Sequence, residues 1–205
     1  MVTLLPAGTD QAVALLRGGG VGAFPTDTVY GLGCSPLLPG AVERVFRLKR
    51  RPPTQPLPLL LADREQIEMA VASVPPLATK LMDAFWPGGL TLVLPRSPRI
   101  PETVSAGGRG VGVRLPDHPL PRALARGLGT PIVGTSANIC GQPSPRTAAE
   151  VRGQLGEGVD FIIDGGPCPG GVESTVVDLT GEPRLLREGA IPRREIERVL
   201  GCALL

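Results

Sequence analysis

Short apolar runs alternate with helix-spaced stretches along this chain, and that alternation confines it to an α/β domain with helices packed on a sheet. Residues 57–61 form a continuous apolar run, the pattern of a strand buried on both faces. Further strands are predicted at 21–25, 90–94, 111–115, 131–134, 161–163, 174–179 and 184–187. A first helix runs through Arg17, capped by Thr9 and stopped by Gly18, Gly19 and Gly20. Apolar spacing predicts further helices at 41–49, 64–72, 77–85, 120–126, 147–155 and 193–200. The expectation is one mixed, twisted sheet with flanking helices, in a single domain spanning 1–205.

A chain of 205 residues suits one domain, and at that size folding buries roughly 70% of the surface of the unfolded chain. Aromatic residues make up only 3% of it, so the core must come from Leu, Val, Ile and Ala. The 28 glycines and 24 prolines are spread along the sequence and read as loop punctuation rather than disorder. A net charge of +2 is too small for a general grip on nucleic acid. Cys34, Cys140, Cys168 and Cys202 form no C-x-x-C pair and have no histidine cluster beside them, which argues against zinc. No signal peptide is visible, so reduced thiols and a cytoplasmic location are expected. No apolar run approaches the roughly 18 residues of a membrane span.

Several chemistries are excluded by their missing parts. There is no P-loop, and Gly31-Leu-Gly33 is only a fragment of a dinucleotide fingerprint. There is no G-x-S-x-G elbow, and with His118 as the single histidine a Ser-His-Asp triad is improbable. Between Asp117 and Pro119, that histidine reads as a turn residue. Four polar groups remain at the ends of predicted elements, where α/β sheets bind ligands. They are the hydroxyl-rich loop from Thr26 to Tyr30, the cations Lys49, Arg50 and Arg51, the loop from Gly134 to Asn138, and the segment from Gly171 to Asp178 with Arg187 beyond it. Basic forks suit phosphates, and hydroxyl or amide groups orient polar ligands. The cations also suit the carboxyl end of a helix.

Taken in order, FPTDTVYGLGC, the K-x-R of Lys49 and Arg51, WPGGLTLVLP, VGVRLPDHP, the S-x-N of Ser136 and Asn138, and VESTVVD with LLREGAIP resemble the YrdC/TsaC family of threonylcarbamoyl-AMP synthases. The resemblance runs from about Gly20 to Pro192. It implies a twisted open α/β sheet with a concave, positively lined cavity. It also implies an activity: a carbamate made from L-threonine and bicarbonate attacks the α-phosphate of ATP and displaces pyrophosphate. The adenylate product then serves tRNA modification, with tRNA and downstream tRNA-modifying proteins as further partners. Such a reaction rests on positioning and charge screening, which agrees with the shortage of general bases here.

By the same resemblance Lys49 and Arg51 contact the ATP phosphates and carry the catalysis. Gln55, Ser136, Asn138, Ser144 and Arg187 complete the nucleotide site. Thr28, Arg114 and Ser174 hold threonine, with Arg114 as the fork for its carboxylate. Mg²⁺ is expected with ATP, with no protein metal site and no organic cofactor. Asp27 and Asp178 are the carboxylates at hand, though hydrated Mg²⁺ on phosphates needs few protein ligands. The chain departs from some relatives at Leu60, where they carry histidine, at Gly110, where they carry threonine, and at Gln55, where asparagine is common. Ending at Leu205, it looks like the short form without a C-terminal extension. Two competing readings are a non-catalytic RNA-binding module, suggested by Arg44, Arg47 and Arg51 on one helix face, and a paralogue of the same fold with a different activity.

Overall fold

The expected single sheet is in fact two, and a glycine divides them. In the computed structural model, which describes residues 3–5 and 9–205, the strand read at 131–134 is β7 (Ile132–Val133), and a second strand, β8 (Thr135–Ser136), follows in the segment read as a loop, with Gly134 between the two. Gly134 N donates to Pro58 O on one side, and Val133 N donates to Cys34 O on the other. A side chain at 134 would place its Cβ 2.3 Å from Leu60 Cγ. Glycine therefore lets the chain pass from one sheet to the other in close contact with Leu60.

The first sheet has the order β1 (Thr3–Leu5), β9 (Phe161–Ile163), β2 (Gly22–Phe24), β3 (Gly31–Gly33), β8. Its first three strands run parallel, and the β2–β3 and β3–β8 pairs are antiparallel. The second sheet has the order β11 (Arg184–Arg187), β10 (Thr175–Asp178), β5 (Leu90–Pro95), β6 (Gly110–Arg114), β4 (Leu59–Leu60), β7. There the β10–β5 and β4–β6 pairs are parallel and the other pairs antiparallel.

Three strands, β1, β3 and β8, were not foreseen. In β3 the glycines at 31 and 33 hide the strand pattern, yet they are what the packing needs. A Cβ on Gly33 would lie 2.3 Å from Val133 O and 2.8 Å from the Phe24 ring. The apolar run at 57–61 is buried as expected at its four leucines but pairs as a strand only at Leu59–Leu60.

The helices α1 (Asp10–Arg17), α2 (Pro39–Lys49), α4 (Pro76–Phe85), α6 (Pro119–Leu128), α7 (Ala148–Leu155) and α8 (Arg193–Leu200) lie where their spacing predicts. The helix expected at 64–72 contracts to α3 (Ile67–Ala70), and a short α5 (Glu102–Ser105) was not foreseen. Thr9 sits at the N-cap of α1 but makes no side-chain cap bond, its backbone being helical already. Thr147 does cap α7, accepting from Glu150 N.

Alternation along the strands of the first sheet divides the core in two. Ala23 and Ile162 face the main core, with Val42 and Val45 of α2 and Val151 of α7. Phe24, Phe161 and Ile163 face the opposite side and are covered by Leu16 of α1 and Leu124 of α6. Leu60 belongs to this second cluster although it lies in the other sheet, so it ties the two together. Among the described residues no helix is long and apolar enough to cross a membrane. The four cysteines are unpaired.

His118 proves to be a helix cap. Its Nδ1 accepts from Leu120 N at 3.2 Å, at the start of α6. Burial holds the imidazole below its ordinary pKa, with Asp27 and Asp117 pulling the other way. Protonation would remove the accepting lone pair. The folded state thus binds the proton less well than the unfolded chain, so this stabilisation is complete above the unfolded value of about 6.5 and is lost as the pH falls below it. Urea unfolding of the wild type should show a fall in stability from pH 7 to pH 5.5 that is smaller in His118→Asn, which keeps a cap that does not titrate. Equal falls in both proteins would show that His118 does not set this pH dependence.

Candidate functional site

A cavity of about 500 Å³ opens where the two sheets meet. One wall comes from the β2–β3 turn, with Thr26, Thr28 and Tyr30. A second comes from β5 and β6, with Thr91, Gly112 and Arg114. The end of α2 and the loop after it bring Lys49, Arg51 and Gln55. The chain leaving β8 brings Ser136 and Asn138, and the start of β10 and end of β11 bring Glu173, Ser174 and Arg187. Four cations therefore face one carboxylate, Glu173.

Arg114 anchors one end. It is 5% exposed and spends three hydrogens on protein. Nε donates to Gly88 O at 2.8 Å, Nη1 to Thr28 Oγ1 at 3.0 Å and Nη2 to Asp27 Oδ1 at 2.6 Å. One hydrogen is left on each terminal nitrogen. Thr26 Oγ1 donates to Val29 O at 2.7 Å and lies 2.9 Å from Thr28 Oγ1. With the Thr26 proton used on Val29, Thr28 must donate to Thr26 while it accepts from Arg114. The Thr28 hydroxyl thus has only a lone pair to offer a ligand. Asp27, weighed above as a metal ligand, is here the counter-ion of Arg114. Asp178 lies outside the cavity lining and accepts from the Thr180 backbone N and hydroxyl.

Lys49 anchors the other end. It is 1% exposed, and its ammonium donates to Ser136 O at 2.5 Å, Asn138 O at 2.8 Å and Asn138 Oδ1 at 3.1 Å. All three of its hydrogens are thereby used. Asn138 Oδ1 also accepts from Ser136 Oγ at 2.6 Å, and Asn138 Nδ2 donates to Gln142 O at 2.6 Å. The S-x-N loop is therefore folded around the lysine. Burial, reinforced by the charge of Arg51, pushes Lys49 down to about 8 against the pull of Cys140 and Glu173. At neutral pH it remains an ammonium. Arg51 differs: it lies beyond the end of α2, past Arg50 in the left-handed region, and donates to Gln55 O and Pro56 O. The proposed arginine face of α2 does not form, because Arg51 is off the helix and Arg44 is paired with Asp160.

Glu173 joins Ser144 and Arg187, two of the residues that the resemblance assigns to the nucleotide. Its Oε1 accepts from Ser144 Oγ at 2.5 Å, and its Oε2 from Arg187 Nη1. Arg187 also donates from Nε and Nη2 to Ser174 O, at 3.1 and 2.9 Å. Burial raises the Glu173 carboxyl, but Ser144, Arg187, Ser136 and Lys49 together outweigh it and hold the group below its ordinary range. Ser174 Oγ lies 2.8 Å from Thr91 Oγ1.

Nine of the ten residues named from sequence line this one cavity: Thr28, Lys49, Arg51, Gln55, Arg114, Ser136, Asn138, Ser174 and Arg187. Ser144 does not line it and reaches it only through Glu173. Leu60 and Gly110, the departures from relatives, line it too. Thr91 was missed as a site residue, and Asp27 and Glu173, though within the polar segments singled out, were given no role toward Arg114 and Arg187. A buried arginine needs a counter-ion, so Asp27 could have been sought on Arg114; no signal in the sequence points to Thr91.

The Lys49 network can be tested by stability. Lys49→Met leaves three buried acceptors short of a donor and should cost about 3 kcal/mol in urea unfolding. Arg51→Ala should cost under about 1 kcal/mol, since its contacts are exposed. Similar costs for the two variants would refute the structural role of the lysine.

The chain resembles known proteins over most of its length. The family profile Sua5_yciO_yrdC, described as "Telomere recombination", matches residues 14–189. A protein named threonylcarbamoyl-AMP synthase from Bacillus subtilis (strain 168) is 46% identical over 193 residues, 93% of this chain and 56% of that protein. The chain thus spans little more than half the length of this relative. The crystal structure of Sua5 from P. abyssi complexed with L-threonine superposes with a TM-score of 0.94 at 41% identity, over 100% of this chain and 62% of that one. The crystal structure of E. coli YciO superposes with a TM-score of 0.82 at 30% identity, over 92% of this chain and 95% of that one. With the profile spanning most of the sequence and the fold matched along its whole length, the chain belongs to the Sua5/YciO/YrdC family.

Proposed function

We propose that this chain is a nucleotidyltransferase that makes L-threonylcarbamoyl-AMP from L-threonine, bicarbonate and ATP, with release of pyrophosphate, for threonylcarbamoyladenosine modification of tRNA. The observation that carries the reading is that one cavity holds a carboxylate fork at Arg114 and the cations Lys49, Arg51 and Arg187. A relative bound to L-threonine and another named for the synthase point the same way.

The residues divide the work. The two spare hydrogens of Arg114 would take the carboxylate of threonine as a fork, while Asp27 holds the guanidinium in place. The lone pair left on Thr28 would accept from the threonine ammonium, and Ser174 would bond the amino acid from the facing strand. Arg51 and Arg187 would screen the phosphates directly. Lys49 would act through its charge and by holding the loop of Ser136 and Asn138 in shape. Gln55 and Ser144 complete the nucleotide end. The carbamate oxygen forms a bond to the α-phosphorus as the bond to the pyrophosphate oxygen breaks. Cations fixed before the reaction stabilise the charge that moves to the leaving group. Mg²⁺ would arrive on the phosphates of ATP. The product would pass to proteins that modify tRNA. An RNA-binding role is not favoured, because the arginine face it required does not form.

The test is to incubate the protein with labelled bicarbonate, threonine and MgATP and to look for labelled adenylate with matching pyrophosphate. Absence of both would exclude the reaction and leave a paralogue of different activity. Arg114→Lys keeps the charge and loses the fork. It should raise KM for threonine at least about tenfold, the effect of one charge-assisted hydrogen bond, with KM for ATP nearly unchanged. A rise confined to ATP would reassign Arg114 to the phosphates.

A further inference from the structure

Glu173 is the one carboxylate among the residues lining the cavity, and it occupies groups that the proposed reaction needs for phosphate. Ser144 Oγ and Arg187 Nη1 both donate to it, each to a different oxygen. Ser136 and Lys49 stand near enough to lower its pKa as well. All four are among the seven residues assigned above to the nucleotide. Two donors, Ser144 and Arg187, converge on the carboxylate with the charge of Lys49 nearby, as they would on a phosphate, and in this structure the anion is part of the protein.

We propose that Glu173 is an internal surrogate for a nucleotide phosphate: its carboxylate holds Ser144 and Arg187 in place while the cavity is free of nucleotide, and the incoming phosphate displaces it. The inference rests on the nucleotide reading of this cavity and adds a gating residue to it.

Three features make the displacement feasible. The Glu173 side chain is 29% exposed, so it has open space to swing into. Its backbone stays fixed during such a swing, since Ala190 N donates to Glu173 O at 2.8 Å and Gly189 packs against the same oxygen. Arg187 stays tethered when Nη1 is released, because Nε and Nη2 remain on Ser174 O. The Arg187–Glu173 pair is also partly exposed on both sides, at 45% and 29%. Pairs of that kind are weak, so a triphosphate can outcompete the carboxylate. The surrogate then preserves the cradle at a small cost in affinity. The Arg114–Asp27 pair at the other end is far more enclosed, at 7% and 16% exposure, and fits a fixed scaffold rather than a gate.

Glu173→Gln keeps the shape and removes the charge. Calorimetric titration with ATP, with and without Mg²⁺, should show binding tightened about fivefold relative to wild type in both conditions, the scale of one exposed ion pair. Titration with threonine should be unchanged, and circular dichroism should confirm the fold. Equal ATP affinity in the two proteins overturns the surrogate and leaves the nucleotide reading intact. Weaker binding by the variant only when Mg²⁺ is present overturns it in favour of a metal-facing carboxylate. Weaker binding in both conditions overturns it in favour of a direct positive role for Glu173. Failure of ATP to bind either protein removes the nucleotide reading, and the surrogate with it.

Discussion

The ammonium of Lys49 sits at the carboxyl end of α2, almost wholly out of solvent, and three oxygens from residues 136 and 138 close around it. Those oxygens belong to the chain just after it has crossed from one sheet to the other. A buried charge is tolerated only when fully bonded, so the loop has little freedom to adopt another shape. The Lys49 carbonyl adds to the clamp by accepting from Cys140 N. This end of the cavity therefore depends on one residue that itself has no hydrogen to spare for a ligand.

The same logic recurs at the other charged groups. Arg114 is held by Asp27, and Arg187 by Glu173. Each cation is oriented by the protein before any anion arrives, which limits the reorganisation that binding requires. The two pairs differ in burial, and the difference matters. Asp27 is enclosed with its partner and works as scaffold, whereas Glu173 faces the cavity. Around them the glycines at 33 and 134 let two sheets approach closely enough for residues from both to share one site.

Much of the fold was legible because its signals are local. The spacing of Val42, Val45 and Phe46 marked α2, and the apolar runs marked β5, β6 and β9. Where glycine wrote the pattern, the reading failed. Gly31 and Gly33 showed no strand pattern and form β3, because the reason for a glycine there lies in Val133 and Phe24, a contact no window of sequence contains. The run 64–72 has helical spacing but supports only a four-residue helix, α3. Thr9 has the right identity for a cap and makes no cap bond.

By itself the sequence determined the alternation of strands and helices, the family, and the identity of nine residues that line the cavity. These follow from residue type and order. Only the tertiary structure decided what those residues are bonded to. That Lys49 is fully satisfied by the S-x-N loop, that Arg114 already carries Asp27, and that Glu173 bridges Ser144 and Arg187 are relations between positions 14 to 89 residues apart. Hydrogen-bond partners are chosen by distance in space. Until the two sheets are joined at Gly134, nothing in the order of residues specifies that distance.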